Sequence, residues 1–157
     1  MPQPSTSSAA KGLTLSAEDV DRLLHDTTSN TRVDMTNKIA GSYNATGLSA
    51  QESMVAEQIF RLLLRDTELN VRVTLAQHLK DSAQIPRDIV KSLASDVEEV
   101  SLPILQFSQV LTEEDLSELV SATEQVSKYL AISRRRIVPE TISNKLLEKN
   151  IDQLTES

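Results

Sequence analysis

There is no cysteine in this chain, which excludes a disulfide framework, a thiolate zinc site, an iron-sulfur cluster and a cysteine nucleophile. Tryptophan is absent too, and Tyr43, Phe60, Phe107 and Tyr129 are its aromatic residues, so stacking platforms for bases or sugars have no material. Glycine is equally sparse. Gly12, Gly41 and Gly47 are too scattered to build a phosphate-cradling loop. Two histidines, His25 and His78, leave little from which to make a histidine-rich metal site. No apolar run approaches the roughly 18 residues of a membrane span, and the start MPQPSTSSAAKG lacks the charged and apolar regions of a signal peptide. The expectation is a cytoplasmic protein with no membrane partner.

Acidic residues number 23 against 16 basic ones, a net charge of −7. Affinity for nucleic acid rests on lysines and arginines that displace counterions from phosphates, so a nucleic-acid partner is not expected. Apolar residues make up 39% of the chain, enough for a core, and 157 residues suit one domain.

Residues 1–13 are rich in Pro, Ser and Ala without periodic apolar positions and read as a disordered tail, since nothing in them offsets the entropy of ordering. From Leu15 onward apolar residues recur three or four apart, and almost no stretch alternates with a period of two. The pattern predicts an all-α domain over 14–157.

Helix starts are marked by capping chemistry. Ser16 with Asp19, Ser49 with Glu52 and Thr112 with Asp115 each place a hydroxyl before a helix and an acid three residues on, the glutamate case being the full capping box. Pro86 and Pro139 suit first-turn positions, where a missing NH costs nothing. Pro103 fits if its helix begins at about Glu99 or Val100.

An internal repeat is the strongest signal. Asp26-Thr27-Thr28-Ser29-Asn30-Thr31-Arg32-Val33 lines up, forty residues later, with Asp66-Thr67-Glu68-Leu69-Asn70-Val71-Arg72-Val73. A third copy at Asp96, Val100, Leu102, Ile104 and Leu105 keeps the apolar rhythm, and a fourth keeps Val126, Leu130 and Ala131. Each follows an amphipathic helix: Ser16 to Leu24, Ser49 to Leu64, Pro86 to Ala94, Thr112 to Val120. The unit is helix, turn, helix. The linker Gly41 to Leu48 is present once, and an isolated further helix, Pro139 to Lys149, follows the four pairs. One helical pair cannot bury its own apolar face, so stacking into one continuous core is expected.

At these residues the sequence resembles a HEAT-type array, whose repeats carry an Asp in the turn and Val-Arg near the start of the second helix. From about Leu63 to Asn150 it resembles, more narrowly, the amino-terminal part of an alphaproteobacterial family of HEAT-like proteins filed as a domain of unknown function. The stretches Asn70-Val71-Arg72-Val73-Thr74-Leu75-Ala76, Ile85-Pro86-Arg87-Asp88-Ile89-Val90, Asp96-Val97-Glu98-Glu99-Val100, Leu111-Thr112-Glu113-Glu114-Asp115-Leu116 and Leu130-Ala131-Ile132-Ser133-Arg134-Arg135 carry it. The resemblance implies a right-handed α-solenoid of antiparallel helix pairs and assigns no activity. Members of that family continue with further helical repeats, so this chain reads as a fragment or a short member whose last helix lacks a partner. The resemblance also implies that Asp26, Arg32, Asp66 and Arg72 form a structural ladder between the turns of neighbouring repeats. An arginine's planar fork suits that task by holding a carboxylate and a turn carbonyl together.

Candidate chemistry outside the ladder is thin. His78 is the helical histidine a phosphotransfer module would use, but its flanks, Ala76-Gln77-His78-Leu79-Lys80, lack an acidic neighbour, and a solvent-facing or capping role is the better reading. His25 reads as an ordinary surface residue. Asp96, Glu98, Glu99, Glu113, Glu114, Asp115, Glu118 and Glu124 stand without an intervening base, and most fall in or just before first turns, where the helix dipole favours negative charge. Arg134-Arg135-Arg136 with Lys128 is the candidate partner-binding group, facing an acidic protein or a phosphate.

The expected function is a non-catalytic protein-protein interaction scaffold without cofactor or metal, whose partner is another protein. Second helices would line its inner surface with Arg32, Lys38, Arg72, Gln77, Lys128 and the triplet Arg134-Arg135-Arg136. Ile142, Leu146 and Leu147, followed by Ile151 and Leu154, predict self-association through the carboxy-terminal helix, which should dock on the preceding pair through Leu130 and Ile132. The alternative is a bacterial signalling module, phosphotransfer or kinase-associated, centred on His78. A HEAT-like DNA-repair enzyme would need a basic groove, which the composition opposes.

Overall fold

The computed structural model describes residues 28–45 and 47–156, the side chains of Ser29 and of residues 151–156 excepted. The tail 1–13, the first helix of the first pair, His25 and the ladder residue Asp26 lie outside the described residues. Among those described there are eight α-helices and no strand, the all-α class that the periodicity predicts. The chain divides into two compact units, Met1–Leu79 and Lys80–Ser157.

In the first unit lie α1 (Ser29–Asn44), α2 (Ala50–Leu63) and α3 (Leu69–Leu79). α1 packs along α3, and α2 touches both. Ser49 and Glu52 form the reciprocal box that starts α2: the Ser49 hydroxyl accepts from the Glu52 NH at 3.1 Å and the Ser49 NH donates to the Glu52 carboxylate at 2.9 Å. The core is Met35, Ile39, Tyr43, Ile59, Phe60, Val71, Leu75 and Leu79. The expected linker from Gly41 is shorter than predicted, because α1 runs on to Asn44. Tyr43 is the reason. Its ring is buried edge-to-face on Phe60 at 5.2 Å and its hydroxyl donates to Glu57 at 2.8 Å, so one more helical turn has an apolar and a polar anchor.

In the second unit lie α4 (Arg87–Ala94), α5 (Glu98–Phe107), α6 (Glu113–Ser121), α7 (Val126–Ser133) and α8 (Glu140–Glu156). α4 neighbours α5 and α6 neighbours α7; α7 stacks along α5, and α8 stacks along α6 and touches α7. Ile89, Val90 and Leu93 of α4, Val100, Ile104 and Leu105 of α5, Leu116 and Val120 of α6, Ile132 of α7 and Ile142 of α8 make the core. Burying each such side chain contributes on the order of 1.5–3 kcal/mol.

Several local expectations are corrected. Asp115 completes a full capping box with Thr112, as Glu52 does with Ser49, because the shorter carboxylate still reaches the Thr112 NH at 3.0 Å. Pro86 is the residue before α4 rather than part of its first turn. α5 begins at Glu98, so Pro103 is its sixth residue and removes an NH that lies inside the helix. Of the two residues expected to dock the terminal helix, Ile132 is fully buried and Leu130 is 46% exposed, and on α8 itself Ile142 is fully buried.

Candidate functional site

Of the ladder residues that are described, Asp66 lies in the turn between α2 and α3, Arg72 on α3 and Arg32 on α1. The Arg32 Nε donates to one Asp66 oxygen at 2.6 Å and its Nη2 to the other at 3.2 Å, while Arg72 donates to the Asp66 carbonyl at 2.8 Å. Asp66 also accepts from the Glu68 NH at 2.9 Å, which closes its own turn. Thus one carboxylate receives the planar fork of an arginine 34 residues away and fixes the start of α3. These groups are committed to holding helices together.

Comparable links occur farther along, at positions that the repeat comparison does not flag. Asp115, fully buried, accepts from Arg87 at 2.8 and 2.7 Å, with the Lys91 ammonium at 3.5 Å. The Arg87 bonds hold its carboxyl well below the usual carboxylate range, against the opposing effect of burial and with help from Thr112. Arg87 is held above its usual value by the same contact. Along α8, Thr141 donates to Glu113 at 2.5 Å, Lys145 to the Ser117 hydroxyl at 2.8 Å and Lys149 to Glu124 at 2.9 Å. Gln125 reaches Glu98 at 3.0 Å. The acidic run is therefore more than a solvated set of first turns, since Glu98, Glu113, Asp115, Glu118 and Glu124 each have a partner on another helix or turn.

Of the four candidate partner-binding residues, two are turned inward. Lys128 is 8% exposed and donates to the Asp96 carbonyl at 2.8 Å; burial pushes its ammonium below the usual lysine value. Arg135 donates to the carbonyls of Leu105 at 2.7 Å and Ser108 at 2.6 Å, and burial lowers it as well. Both cations satisfy carbonyls at a turn or a helix end, which leaves them little to offer a partner. Arg134 and Arg136 are exposed. They line a cavity of about 680 Å³ with Gln106, Phe107, Gln109 and Asp81, and the Lys80 ammonium lies 5.1 Å over the Phe107 ring.

His78 belongs to the α1–α3 contact. Its Nε2 is 2.7 Å from the Asn37 side-chain oxygen, and its carbonyl accepts from the Asn44 amide at 2.6 Å. Its Nε2 is thus engaged by a side chain of the neighbouring helix. Among the described residues no three His, Asp or Glu side chains gather where they could hold a metal ion, and no helix is long and apolar enough to cross a membrane.

What remains open is an apolar groove of about 490 Å³ between α7 and α8. Val126, Leu130 and Leu147 line it while 51%, 46% and 60% exposed, and Tyr129, Leu146 and Val138 complete its apolar wall. Large aliphatic side chains gathered in one concavity mark an interaction surface more strongly than the same residues scattered singly. The sequence signal for it was the apolar stripe on the last helix. Its wall on α7 has no such signal, because Val126 and Leu130 fall on the apolar positions of the repeat.

A bacterial family model, described as "Uncharacterised protein conserved in bacteria (DUF2336)", matches residues 100–156. The match takes in most of α5 and all of α6, α7 and α8, and so includes the groove. The likeness to a bacterial family of unknown function, expected from about Leu63, is found from residue 100 onward. No curated protein and no solved structure matches the chain.

Proposed function

We propose that this chain is a non-catalytic protein-interaction scaffold built of HEAT-like helix pairs in a right-handed solenoid, with the α7/α8 groove as its docking site for another protein. The supporting pattern is that alternate helices stack: α1 on α3, α5 on α7 and α6 on α8. Polar links join residues 25–34 positions apart, from Arg32–Asp66 to Lys149–Glu124, as expected where each repeat is tied to the next. The observation that carries the docking site is Leu147, 60% exposed on a groove wall whose neighbours Leu130 and Val126 are equally uncovered. Arg134 and Arg136 are exposed and lie in the chain between the groove residues Ser133 and Val138, which favours an acidic or amphipathic partner over a purely apolar one.

His78 is engaged by Asn37, and nothing favours the signalling reading over the scaffold. A photo-crosslinking residue at position 147, introduced in the native bacterium, tests the proposal. It should give one dominant protein adduct, whereas the same residue at exposed Gln58 should give none. No adduct at 147, or the same adducts from both positions, would overturn it.

A further inference from the structure

Almost every lysine and arginine of the second unit is spent on the chain itself. Arg87, Lys91 and Lys149 face carboxylates, Lys145 a hydroxyl, Lys128 and Arg135 backbone carbonyls, and Lys80 the Phe107 ring. Arg134 and Arg136 are the exceptions. Both are exposed, and neither guanidinium bonds to a carboxylate, carbonyl or hydroxyl of the described residues. Both line the same cavity of about 680 Å³.

A helix end does not account for them. Cations gather at a carboxy-terminal end to satisfy its last carbonyls, and here Arg135 performs that task at Leu105 and Ser108. Arg135 lines the cavity as well, and because both acceptors are neutral carbonyls its charge is paired with no carboxylate. Its buried Nε donates to no acceptor of the described residues. A guanidinium keeps its proton at neutral pH, so the wall carries three positive charges, and the acid among the lining residues is Asp81. The excess is two. The Lys80 ammonium, 5.1 Å over the Phe107 ring, adds another cation nearby.

An excess of two suits a phosphomonoester, which carries about −1.5 to −2 near neutral pH, better than a single carboxylate. Arginine forks also match the oxygen geometry of phosphate. The cavity is much larger than one tetrahedral anion and lies within the roughly 300–1,000 Å³ of small-molecule sites. Its remaining wall is mixed. Phe107 and Ile137 are 45% and 78% exposed there, and the side-chain amides of Gln106 and Gln109 bond to no described residue.

From these charges and this wall we infer that the cavity is a binding site for a small organic phosphomonoester, its phosphate held by Arg134 and Arg136 and its apolar body against Phe107 and Ile137. None of the lining residues lines the α7/α8 groove, so phosphate binding here and crosslinking at position 147 succeed or fail separately.

The probe is phenyl phosphate, titrated against the full chain while the side-chain NH signals of Gln106, Gln109 and the arginines are followed by NMR. Binding should saturate with a Kd of about 1 mM or tighter. Arg134→Gln/Arg136→Gln should weaken it about tenfold or more at an unchanged melting midpoint, and Lys38→Gln should leave it as it is. Phe107→Ala should weaken phenyl phosphate several-fold and inorganic phosphate not at all. No saturation up to about 10 mM, equal binding by the double variant, an unchanged phenyl phosphate affinity in Phe107→Ala, or benzoate bound as tightly would each overturn the inference. Two further arms separate other sources of the same charge. Phosphatidylcholine vesicles containing phosphatidic acid that sediment with a chain blind to phenyl phosphate would assign the arginines to a membrane surface. A hexaglutamate peptide bound more tightly than phenyl phosphate would assign them to an acidic protein. Either result overturns the small-molecule site.

Discussion

Arg87 and Asp115, 28 residues apart and on different helices, meet through two hydrogen bonds of 2.8 and 2.7 Å at a carboxylate with no exposed surface. The same carboxylate caps α6 through the Thr112 NH. One side chain therefore starts α6 and ties it to α4, two helices earlier. Asp115→Ala should destabilise the chain by about 2–4 kcal/mol, the combined scale of a lost cap and a broken buried charge pair. The exposed Gln58→Ala should stay within about 0.5 kcal/mol. Urea midpoints compare the two directly.

The pairing also sets an acid limb. The folded-state value of Asp115 is held below its ordinary 3.8, first by Arg87, so its contribution is complete above that ordinary value and lost as pH falls toward the depressed one. The stability gap between wild type and Asp115→Asn should be constant from neutral pH to about pH 4 and narrow below it. A gap that keeps its size down to about pH 2 would show that the carboxylate's charge contributes nothing.

The Arg32–Asp66 contact makes a separate prediction in the first unit. Both groups are mostly buried, and hydrogen bonds to charged groups contribute roughly 1.5–3 kcal/mol each. Arg72 acts on the same turn through a carbonyl at 2.8 Å, so Arg72→Ala should cost about 1–3 kcal/mol. In a double-mutant cycle Arg32→Ala and Asp66→Ala should be strongly non-additive. Additive losses would mean that the two side chains do not act on each other.

His78 should remain unlabelled when the chain is incubated with a phosphorylated response regulator, since Asn37 occupies its Nε2. Acid-labile label on His78 would revive the signalling reading.

These contacts show which parts of the molecule its sequence could and could not reveal. Apolar spacing and the Ser49/Glu52 and Thr112/Asp115 pairs located helix starts because both signals are local. The Asp66/Arg72 repeat marks a turn where side chains of recurring type do the bonding. Lys128 and Arg135 read as surface charges because their acceptors are the backbone carbonyls of Asp96, Leu105 and Ser108, which every residue has and no sequence pattern displays. Asp115 was hidden differently. It occupies the position that Ile89 and Ile142 fill in the neighbouring first helices, all three fully buried, and only packing shows that a carboxylate there is covered. The groove was half visible: Leu147 belonged to an apolar stripe on the last helix, while the exposure of Val126 and Leu130 depends on which helix lies beside them.

The central claim is that the α7/α8 groove is where this chain meets a partner, and quantitative co-purification from the native bacterium tests it most directly. Tagged wild type should bring down a protein in near-stoichiometric amount. The Leu130→Glu/Leu147→Glu variant, with its melting midpoint unchanged, should lose that protein and keep the background. The same partner recovered at the same level with both chains would contradict the account.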